Sequence, residues 1–361
     1  MNRSTARARE IGQSLWLDNI SHELLDSGTL AHYLEAFAIS GVTSNPTTFD
    51  EALAASAAYD PAILAATPGG ISDEALFIEL ALGDLRRAAD LLHPVFETTH
   101  GIDGWVSMEV SPSLADDAEG TFDAAIRIFR QASRPNLFVK IPGTPAGITA
   151  IEESIVAGVP VNVTLLFSCE QYLAAAGAYL RGIERRLAAG HSPLVASVAS
   201  VFVSRWDRAV ADAVPAELRN QLGIAIAGRT YRAYLELLDS PRWRRLSGQG
   251  AHPQRLLWAS TGVKDPLAPD TLYVDALAAP NTINTLPEKT LVAFADHGNP
   301  ALMAGDGVAA ETLLTRFRNA GVDIDALALR LPHEGAQSFL KSWQHLMRGI
   351  SSKRAAVARP E

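Results

Sequence analysis

The segment Asn136-Leu137-Phe138-Val139-Lys140-Ile141-Pro142 is a short run of mostly apolar residues that ends at a proline. Residues 146–157 follow it and carry apolar residues at three- and four-residue spacing. The first pattern is typical of a buried strand, and the second is typical of an amphipathic helix. Together they predict one strand–helix unit, and the rest of the chain repeats this unit.

Eight apolar runs of this kind occur along the chain, and amphipathic segments separate them. Alternating strands and helices favour a parallel sheet covered by helices. Eight repeats favour a closed (β/α)₈ TIM barrel of the α/β class over an open doubly wound sheet. The last of the eight runs fits a loop almost as well as a strand. The predicted strands cover residues 14–18, 41–46, 105–110, 136–142, 160–167, 193–200, 255–260 and 282–287, and the clearest helices cover 120–132, 146–157, 169–189 and 218–238.

The chain has 361 residues, which is long for one barrel, so we expect extra helices rather than a second domain. The barrel is predicted over residues 13–350, with helical insertions near residues 51–92 and 203–245. Residues 1–12 are expected to be an N-terminal extension. Residues 351–361 are expected to be a disordered tail.

Composition excludes several classes of protein. Apolar residues make up 48% of the chain and charged residues 20%, which is enough for a large core. The net charge of −9 argues against nonspecific nucleic-acid binding. No stretch approaches 18 uninterrupted apolar residues, and the start of the chain has no apolar signal region. A single cysteine, Cys169, rules out an internal disulfide framework. We therefore expect a cytoplasmic protein that binds neither nucleic acid nor membrane.

Lysine usage singles out one position. The chain has 26 arginines and five lysines, and Lys140 is the only lysine in the first 263 residues. The overall shortage of lysine is typical of an arginine-favouring genome. Lys140, however, lies within an apolar strand, where a charged group is costly unless something compensates for it. A lysine in that position therefore needs a structural or chemical reason.

Polar side chains late in the other strands supply a possible reason. Residues two apart on a strand point the same way, and TIM barrels carry their active sites at the C-terminal ends of the strands. Asp18, Glu109 and Lys140 all occupy such positions, so we expect them to converge at one mouth of the barrel. A purely structural ion pair among strand ends is the alternative. Uncharged polar residues at comparable positions are Asn45, Asn162, Thr164, Ser200, Ser260 and Asn284.

Lys140 also indicates a reaction class. A buried amine loses part of the stabilisation of its charged form, and the neutral form attacks carbonyls to give a Schiff base. The iminium then acts as an electron sink, so a C–C bond β to it breaks or forms without a metal. Asp18 and Glu109 are candidates to move protons, and Thr164 to hold a water between Glu109 and the imine. The histidines form no metal-binding motif and no Gly-rich phosphate or dinucleotide loop occurs, so we expect neither metal nor cofactor.

Several ordered stretches identify a family. Gly41-Val42-Thr43-Ser44-Asn45-Pro46-Thr47 and Trp258-Ala259-Ser260-Thr261-Gly262-Val263-Lys264 are two of them. With the lysine-containing strand and the further stretches, they resemble the transaldolases, most closely the long form common in bacteria. The resemblance runs from Gln13 through His297, nearly the whole chain. The further stretches cover residues 13–20, 106–110, 136–147, 162–168 and 200–205.

The resemblance implies roles for the site residues. Lys140 would be the Schiff-base lysine that carries a dihydroxyacetone unit, and Asp18 would exchange a proton with the substrate hydroxyl during C–C cleavage. Glu109 with Thr164 would position and activate the water that forms and hydrolyses the imine. The remaining residues would bind substrate: Asn45 and Asn162 its hydroxyls and the carbonyl-derived oxygen, Arg205 and Ser260 the sugar phosphate, with Ser200 and Phe202 beside them.

Two further positions bear on substrate and reaction type. Some transaldolases carry an arginine two residues after the serine that matches Ser260, but here that residue is Gly262, and Lys264 is the candidate substitute cation for the phosphate. The related fructose-6-phosphate aldolases use a tyrosine for the proton transfer. The combination of Glu109 with Phe202 resembles the transferase instead, which implies transfer of the unit to an aldehyde acceptor.

The resulting expectation is a transaldolase of the pentose phosphate pathway. It would take a three-carbon ketol unit from sedoheptulose 7-phosphate to glyceraldehyde 3-phosphate, giving erythrose 4-phosphate and fructose 6-phosphate. Its partners would be these phosphorylated ketoses and aldoses, and the chain would act as a monomer or homodimer. Two alternatives remain at this point. A glycoside hydrolase would use Asp18 and Glu109 as acid and base but leaves Lys140 without a role, and a catalytically silent protein would only bind sugar phosphates.

Overall fold

Eight parallel strands close into a barrel in which each strand pairs with the next along the chain and β1 pairs with β8. The computed structural model describes residues 2–66 and 69–357. The closed eight-stranded barrel confirms the predicted α/β fold, a single-domain (β/α)₈ TIM barrel with extra helices. The strands are β1 Gln13–Leu17, β2 Gly41–Thr43, β3 Trp105–Glu109, β4 Leu137–Pro142, β5 Val161–Leu166, β6 Ser197–Phe202, β7 Arg255–Ala259 and β8 Thr282–Leu286.

Helices cover the outside of the barrel and both of its ends. All four of the clearest predicted helices are present, with boundaries shifted by a few residues. No helix in the described ranges combines the length and the apolar character needed to cross a bilayer. The helices are α1 Arg3–Ile11, α2 His22–Asp26, α3 Thr29–Ala36, α4 Pro46–Ala55, α5 Asp60–Ala66, α6 Asp73–Thr98, α7 Ala118–Ala132, α8 Pro145–Val156, α9 Cys169–Ala188, α10 Ser204–Val210, α11 Leu222–Asp239, α12 Pro241–Ser247, α13 Leu272–Ala276, α14 Glu288–His297, α15 Val308–Asn319 and α16 Ile324–Val357.

Two strands differ from the prediction by more than one residue at an end, and the physical reasons are local. Strand β2 ends at Thr43 because Asn45 caps the next helix and Pro46 occupies its first turn, where a missing N–H costs nothing. Strand β6 begins at Ser197 rather than 193, and the apolar Leu194 before it is 61% exposed. The last apolar run, which also fitted a loop, is strand β8.

A layer of aromatic rings fills the barrel below the C-terminal mouth. Trp105 stacks on Phe138 with 4.0 Å between ring centroids, and Trp16 lies 6.2 Å from the same ring. Gly41 makes room for this layer, since a Cβ atom there would lie 2.5 Å from the indole of Trp16. Phe138 precedes Lys140 by two residues on β4, so both side chains point into the barrel. The aromatic layer therefore lies inside the barrel, directly below the polar residues of the mouth.

Helices lie near both ends of the described chain and pack against the rest of the molecule. Within the predicted N-terminal extension, residues 1–12, helix α1 buries Ser4, whose hydroxyl donates to the carbonyl of Gly298. The predicted tail, residues 351–361, differs in its first part, because residues 351–357 continue helix α16. Lys353 and Arg354 make ion pairs that hold this end in place. Residues 358–361 lie outside the described part of the chain.

Candidate active site

A cavity of about 780 Å³ opens at the C-terminal mouth of the barrel. It collects most of the residues that the sequence singled out, and they come from six different strands or the segments that follow them. Glu109 and Asn162 do not line the cavity but lie directly behind residues that do. The predicted residues that line it are Asp18, Asn45, Lys140, Thr164, Ser200, Phe202, Arg205, Ser260 and Lys264.

Lys140 and Glu109 form a buried pair on neighbouring strands. They are register partners on β4 and β3, and their side chains are 7% and 6% exposed. The Lys140 Nζ atom lies 3.5 Å from Glu109 Oε2 and donates a hydrogen bond of 3.0 Å to the carbonyl oxygen of Ser44. The amine therefore has an acceptor and a counter-charge but few further partners.

Glu109 and Thr164 have unused hydrogen-bonding capacity. Burial raises the pKa of Glu109, and the charge of Lys140 opposes that rise. Among the described residues, neither Glu109 Oε2 nor the Thr164 hydroxyl has a hydrogen-bond partner. Buried polar atoms are nearly always satisfied, so unpaired atoms beside an amine mark a place where a ligand or water is expected. This arrangement suits the prediction that Glu109 and Thr164 position and activate a water.

Asp18 follows strand β1 and is fixed by its neighbours. Its Oδ1 atom accepts a hydrogen bond of 2.8 Å from the hydroxyl of Thr43. Burial raises the pKa of Asp18, while Lys140, Thr43, Asn45 and then Lys264 oppose the rise. A carboxyl whose pKa is raised from its ordinary acidic value suits a group that takes up a proton and returns it.

Asn45 owes its orientation to the start of helix α4. Its side-chain oxygen accepts hydrogen bonds from the backbone N–H groups of Thr47 and Thr48 at 3.0 and 3.1 Å. The capping bonds occupy the oxygen and turn the amide NH₂ group toward Asp18 and the cavity. An N-cap residue thus doubles as a polar group of the site.

Asn162 sits one layer behind the cavity wall. It is fully buried, its amide nitrogen donates to Ser107 Oγ at 3.2 Å, and its oxygen accepts from Ser200 Oγ at 2.7 Å. Ser200 itself lines the cavity. The structure therefore links these two predicted substrate-binding residues in one network, in which Ser200 lies nearer the cavity.

Cations gather on the side of the cavity formed by β6, β7 and their loops. The Ser260 hydroxyl lies 3.0 Å from that of Ser204, and Arg205 follows directly in α10. A Cβ atom placed on Gly262 would lie 3.7 Å from the Nζ atom of Lys264. The ammonium of Lys264 thus lies close to the space that a longer side chain at position 262 would enter.

Sequence reasoning missed the contribution of helix α16. This helix packs against α4, α5, α6 and α10 and places Arg330, Glu334 and Phe339 on the cavity wall. An amphipathic pattern indicates a helix here but not where the helix docks. Other cavity residues without a sequence signal are Arg208, from the same helix as Arg205, and Thr43, Thr285 and Glu288.

Two expectations about other chemistry concern metals and the single cysteine. In the described ranges, no group of three or more His, Cys, Asp or Glu side chains is arranged to hold a metal ion. Cys169 is buried at the start of α9, and burial raises the pKa of its thiol to about 11. A thiol with so high a pKa is a poor nucleophile at neutral pH.

Comparisons with known proteins give one consistent result. The family model described as transaldolase/fructose-6-phosphate aldolase matches residues 15–350. A transaldolase of Thiobacillus denitrificans is 45% identical over 96% of this chain and 99% of its own length. Transaldolases of Saccharopolyspora erythraea and Thermobifida fusca are each 43% identical, over 97% and 96% of this chain and 97% of their own lengths. The similarity thus extends over the barrel and over helix α16.

Proposed function

The chain belongs to the transaldolase/fructose-6-phosphate aldolase family, and from that premise we propose that it moves a dihydroxyacetone unit between phosphosugars through a Schiff base on Lys140. The relatives are transaldolases, which are transferases. The proposed donor is sedoheptulose 7-phosphate and the proposed acceptor glyceraldehyde 3-phosphate, giving erythrose 4-phosphate and fructose 6-phosphate. The observation that carries the proposal is the buried Lys140, which lines the cavity and lies 3.5 Å from Glu109 behind the wall.

The first proposed step joins Lys140 to the ketose. The neutral amine attacks the carbonyl carbon C2, and the carbinolamine then loses water to give an iminium. Glu109 gives the departing hydroxyl its proton through a water held by Thr164, whose hydroxyl is unpaired. The raised pKa of Glu109 supports this role, because the group has to carry a proton in one step and release it in the next.

The second proposed step breaks the C3–C4 bond. Asp18 takes the proton of the C4 hydroxyl, the electron pair of the bond moves to C3 and is delocalised toward the iminium nitrogen, and the aldose leaves. The three-carbon unit stays attached to Lys140 until an acceptor aldehyde arrives. The carbonyl oxygen of the acceptor aldehyde then receives the proton from Asp18 as the new C–C bond forms. Hydrolysis of the iminium by the water at Glu109 finally restores the free amine.

The environment of the bound unit supports transfer rather than release. Phe202 lines the cavity where a tyrosine would supply an additional acid, so protonation of the carbanion by a nearby phenol is not available. The bound unit therefore persists until an aldehyde accepts it.

The phosphate group of each substrate is assigned to the cationic side of the cavity. Arg205 and Lys264 would bind it together with Ser260. Among the described residues, neither Arg205 nor Lys264 makes a salt bridge, and Glu109 and Glu334 act on Arg205 only from beyond salt-bridge distance. The position of Lys264 close to Gly262 supports its role as the replacement for the arginine that some relatives carry there.

Borohydride trapping tests the Schiff base directly. Incubation with fructose 6-phosphate and reduction should leave a stable three-carbon adduct on Lys140, located by peptide mass mapping. Adding erythrose 4-phosphate before reduction should deplete the adduct and form sedoheptulose 7-phosphate. An adduct on another lysine, or none on a folded protein, would contradict the proposal and favour a silent sugar-phosphate-binding protein.

Lys264→Ala tests the phosphate assignment. Loss of one cation should raise the KM for fructose 6-phosphate by about tenfold, and the KM for the unphosphorylated fructose far less, because only the former carries the charge. Steady-state kinetics with both donors measure the difference. Equal changes for the two donors would remove Lys264 from the phosphate site.

A further inference from the structure

The guanidinium group of Arg205 is held by aromatic rings from two separate elements. Its Cζ atom lies 5.2 Å from the centroid of the Phe202 ring and 5.7 Å from that of Phe339. Phe202 belongs to β6, whereas Phe339 belongs to helix α16. Within the described ranges, no carboxylate lies within salt-bridge distance of Arg205. Glu109 and Glu334 attract the cation from farther away, so the ring faces are its close contacts.

Contact with ring faces differs from an ion pair because it leaves the N–H donors of the guanidinium free. A carboxylate partner would occupy the N–H donors of the guanidinium and compete with an anionic ligand for them. Ring faces attract the positive charge and restrict the plane of the group, but they accept few of its hydrogen bonds. An arginine held in this way keeps its donors available for an anion in the cavity.

Helix α16 is shaped to approach Arg205 closely. Gly335, one turn before Phe339, lies on the same face of the helix. A Cβ atom at Gly335 would lie 3.1 Å from Arg205 Nη1 and 3.0 Å from Leu165 Cδ2. Glycine inside a helix lowers helix stability, so its presence needs a reason such as this close approach. Gly335 and Phe339 together form a seat for the guanidinium.

We propose that Phe339 and Gly335 are positioning residues that orient Arg205 for the phosphate of the substrate, so that helix α16 contributes to selectivity for phosphorylated sugars. This rests on the proposed function, in which Arg205 binds that phosphate. Phe339 also lines the cavity and lies 6.4 Å from the ring of Phe202, but its proposed effect on phosphate binding is exerted through Arg205. Loss of Phe339 or Gly335 should therefore weaken binding of phosphorylated ligands and leave the chemistry at Lys140 unchanged.

Phe339→Leu tests the proposal on the full-length enzyme. The KM for fructose 6-phosphate and the inhibition constant of inorganic phosphate should each rise by about fivefold, which is the size expected for a lost cation–π contact in a partly buried site. The kcat and the KM for fructose should stay within about twofold. Phe339→Tyr keeps a ring face and should restore tight phosphate binding.

Trp343→Leu is the matched control. Trp343 is a buried aromatic on the same helix, but it packs against Phe77 with 5.1 Å between centroids rather than against Arg205. Its loss should lower the melting temperature without changing the ratio of the KM values for the two donors. A selective change in Trp343→Leu equal to that in Phe339→Leu would overturn the proposal, because helix docking alone would then explain it.

Arg205→Leu separates the two levels of inference. If this variant raises the KM for fructose 6-phosphate selectively and Phe339→Leu does not, the positioning role is wrong and the phosphate role stands. If Arg205→Leu has no selective effect, the phosphate role fails, and the positioning role with it. If Phe339→Leu does not fold, Gly335→Ala replaces it, since the added methyl group should displace Arg205 and raise the phosphate inhibition constant by about threefold. An unchanged constant in folded Gly335→Ala would likewise overturn the proposal.

Discussion

The two ends of the barrel each contain a buried ion pair, and the pairs differ in how completely their atoms are satisfied. At the N-terminal end, Arg255 lies 3.3 Å from Asp103, with side chains 8% and 14% exposed. At the C-terminal mouth, Lys140 lies 3.5 Å from Glu109, with 7% and 6% exposed. The distances are nearly the same at the two ends, and the two cations are almost equally buried, while Asp103 is slightly more exposed than Glu109.

The surroundings of the two pairs are not the same. Arg255 also donates to Ser14 Oγ at 2.6 Å and to the carbonyls of Ile102 and Thr282, both at 3.0 Å. Asp103 also accepts from Ser14 and from the indole N–H of Trp16. Lys140, by contrast, makes one hydrogen bond, and Glu109 Oε2 has none within the described chain. A buried ion pair alone thus does not mark an active site, whereas one with unused donors and acceptors does.

Lys140→Ala should produce the largest effect on activity. Removing the amine removes the only group proposed to form a covalent bond with the substrate, so kcat should fall by more than about a thousandfold. The variant should lose some stability, because Glu109 stays buried without its counter-charge. The fold should persist, since burial already raises the pKa of Glu109 and the carboxyl can take up a proton. A coupled assay with fructose 6-phosphate and erythrose 4-phosphate measures turnover, and thermal unfolding checks the fold. Substantial turnover in the variant would contradict the Schiff-base assignment.

Arg255→Ala is the matching change at the other end and should mainly affect stability. It leaves Asp103 buried without its counter-charge, and breaking a buried pair in this way costs about 3–5 kcal/mol. The melting temperature should fall by several degrees, while kcat of the folded enzyme stays within about twofold. A large loss of kcat without loss of stability would mean that the two ends are not functionally separate.

Glu109→Gln should slow the reaction while keeping the shape of the side chain. An amide cannot carry the proton to and from water, and loss of such a general acid–base group costs on the order of a hundredfold in kcat. Asp103→Asn is the control at the opposite end and should lower stability rather than kcat. Equal kcat values for the two variants would show that Glu109 has no special role.

The sequence predicts which residues lie at the C-terminal mouth because their positions follow from patterns within single strands. Lys140 is an isolated lysine in an apolar strand, and Asp18 and Glu109 stand late in theirs, so strand periodicity alone brings them together. The same periodicity gives no role to Arg255, the first residue of a strand, because its partners come from three distant segments. The family resemblance, rather than periodicity, supplied the roles of Arg205 and Phe202.

The docking position of helix α16 cannot be predicted from its sequence pattern. Its spacing predicts a helix, but Phe339 meets Arg205 only because the helix crosses the mouth, more than 130 residues along the chain from α10. Docking of this kind depends on tertiary packing against α4, α5 and α6. The shift of β6 has a similar cause, since Leu194 at the start of the apolar run is exposed whereas Val195 and the residues of β6 from Ser197 onward are buried.

Thr43→Val should give the smallest effect and test how the mouth tunes its carboxyl groups. The Thr43 hydroxyl donates to Asp18 and thereby stabilises the ionised form, which lowers the pKa of Asp18 against the effect of burial. Removing this donor should raise that pKa, so the acidic limb of the kcat–pH profile should move to higher pH by up to about one unit. Activity above the limb should be unchanged.

The control for this change is the neighbouring hydroxyl. Thr285 Oγ1 lies 2.6 Å from Thr43 Oγ1, so Thr285→Val removes a hydroxyl from the same cluster but leaves the donor to Asp18 in place. It should shift the limb less than Thr43→Val, and Thr43→Ser should restore the original profile. Lys140, Lys264 and Glu109 also act on Asp18, so the limb reports the group of interacting sites rather than one residue. If Thr43→Val and Thr285→Val shift the acidic limb of the kcat–pH profile equally, the two threonines act through packing rather than through the hydrogen bond to Asp18. The mouth would then resemble the N-terminal end of the barrel, where the polar residues serve stability.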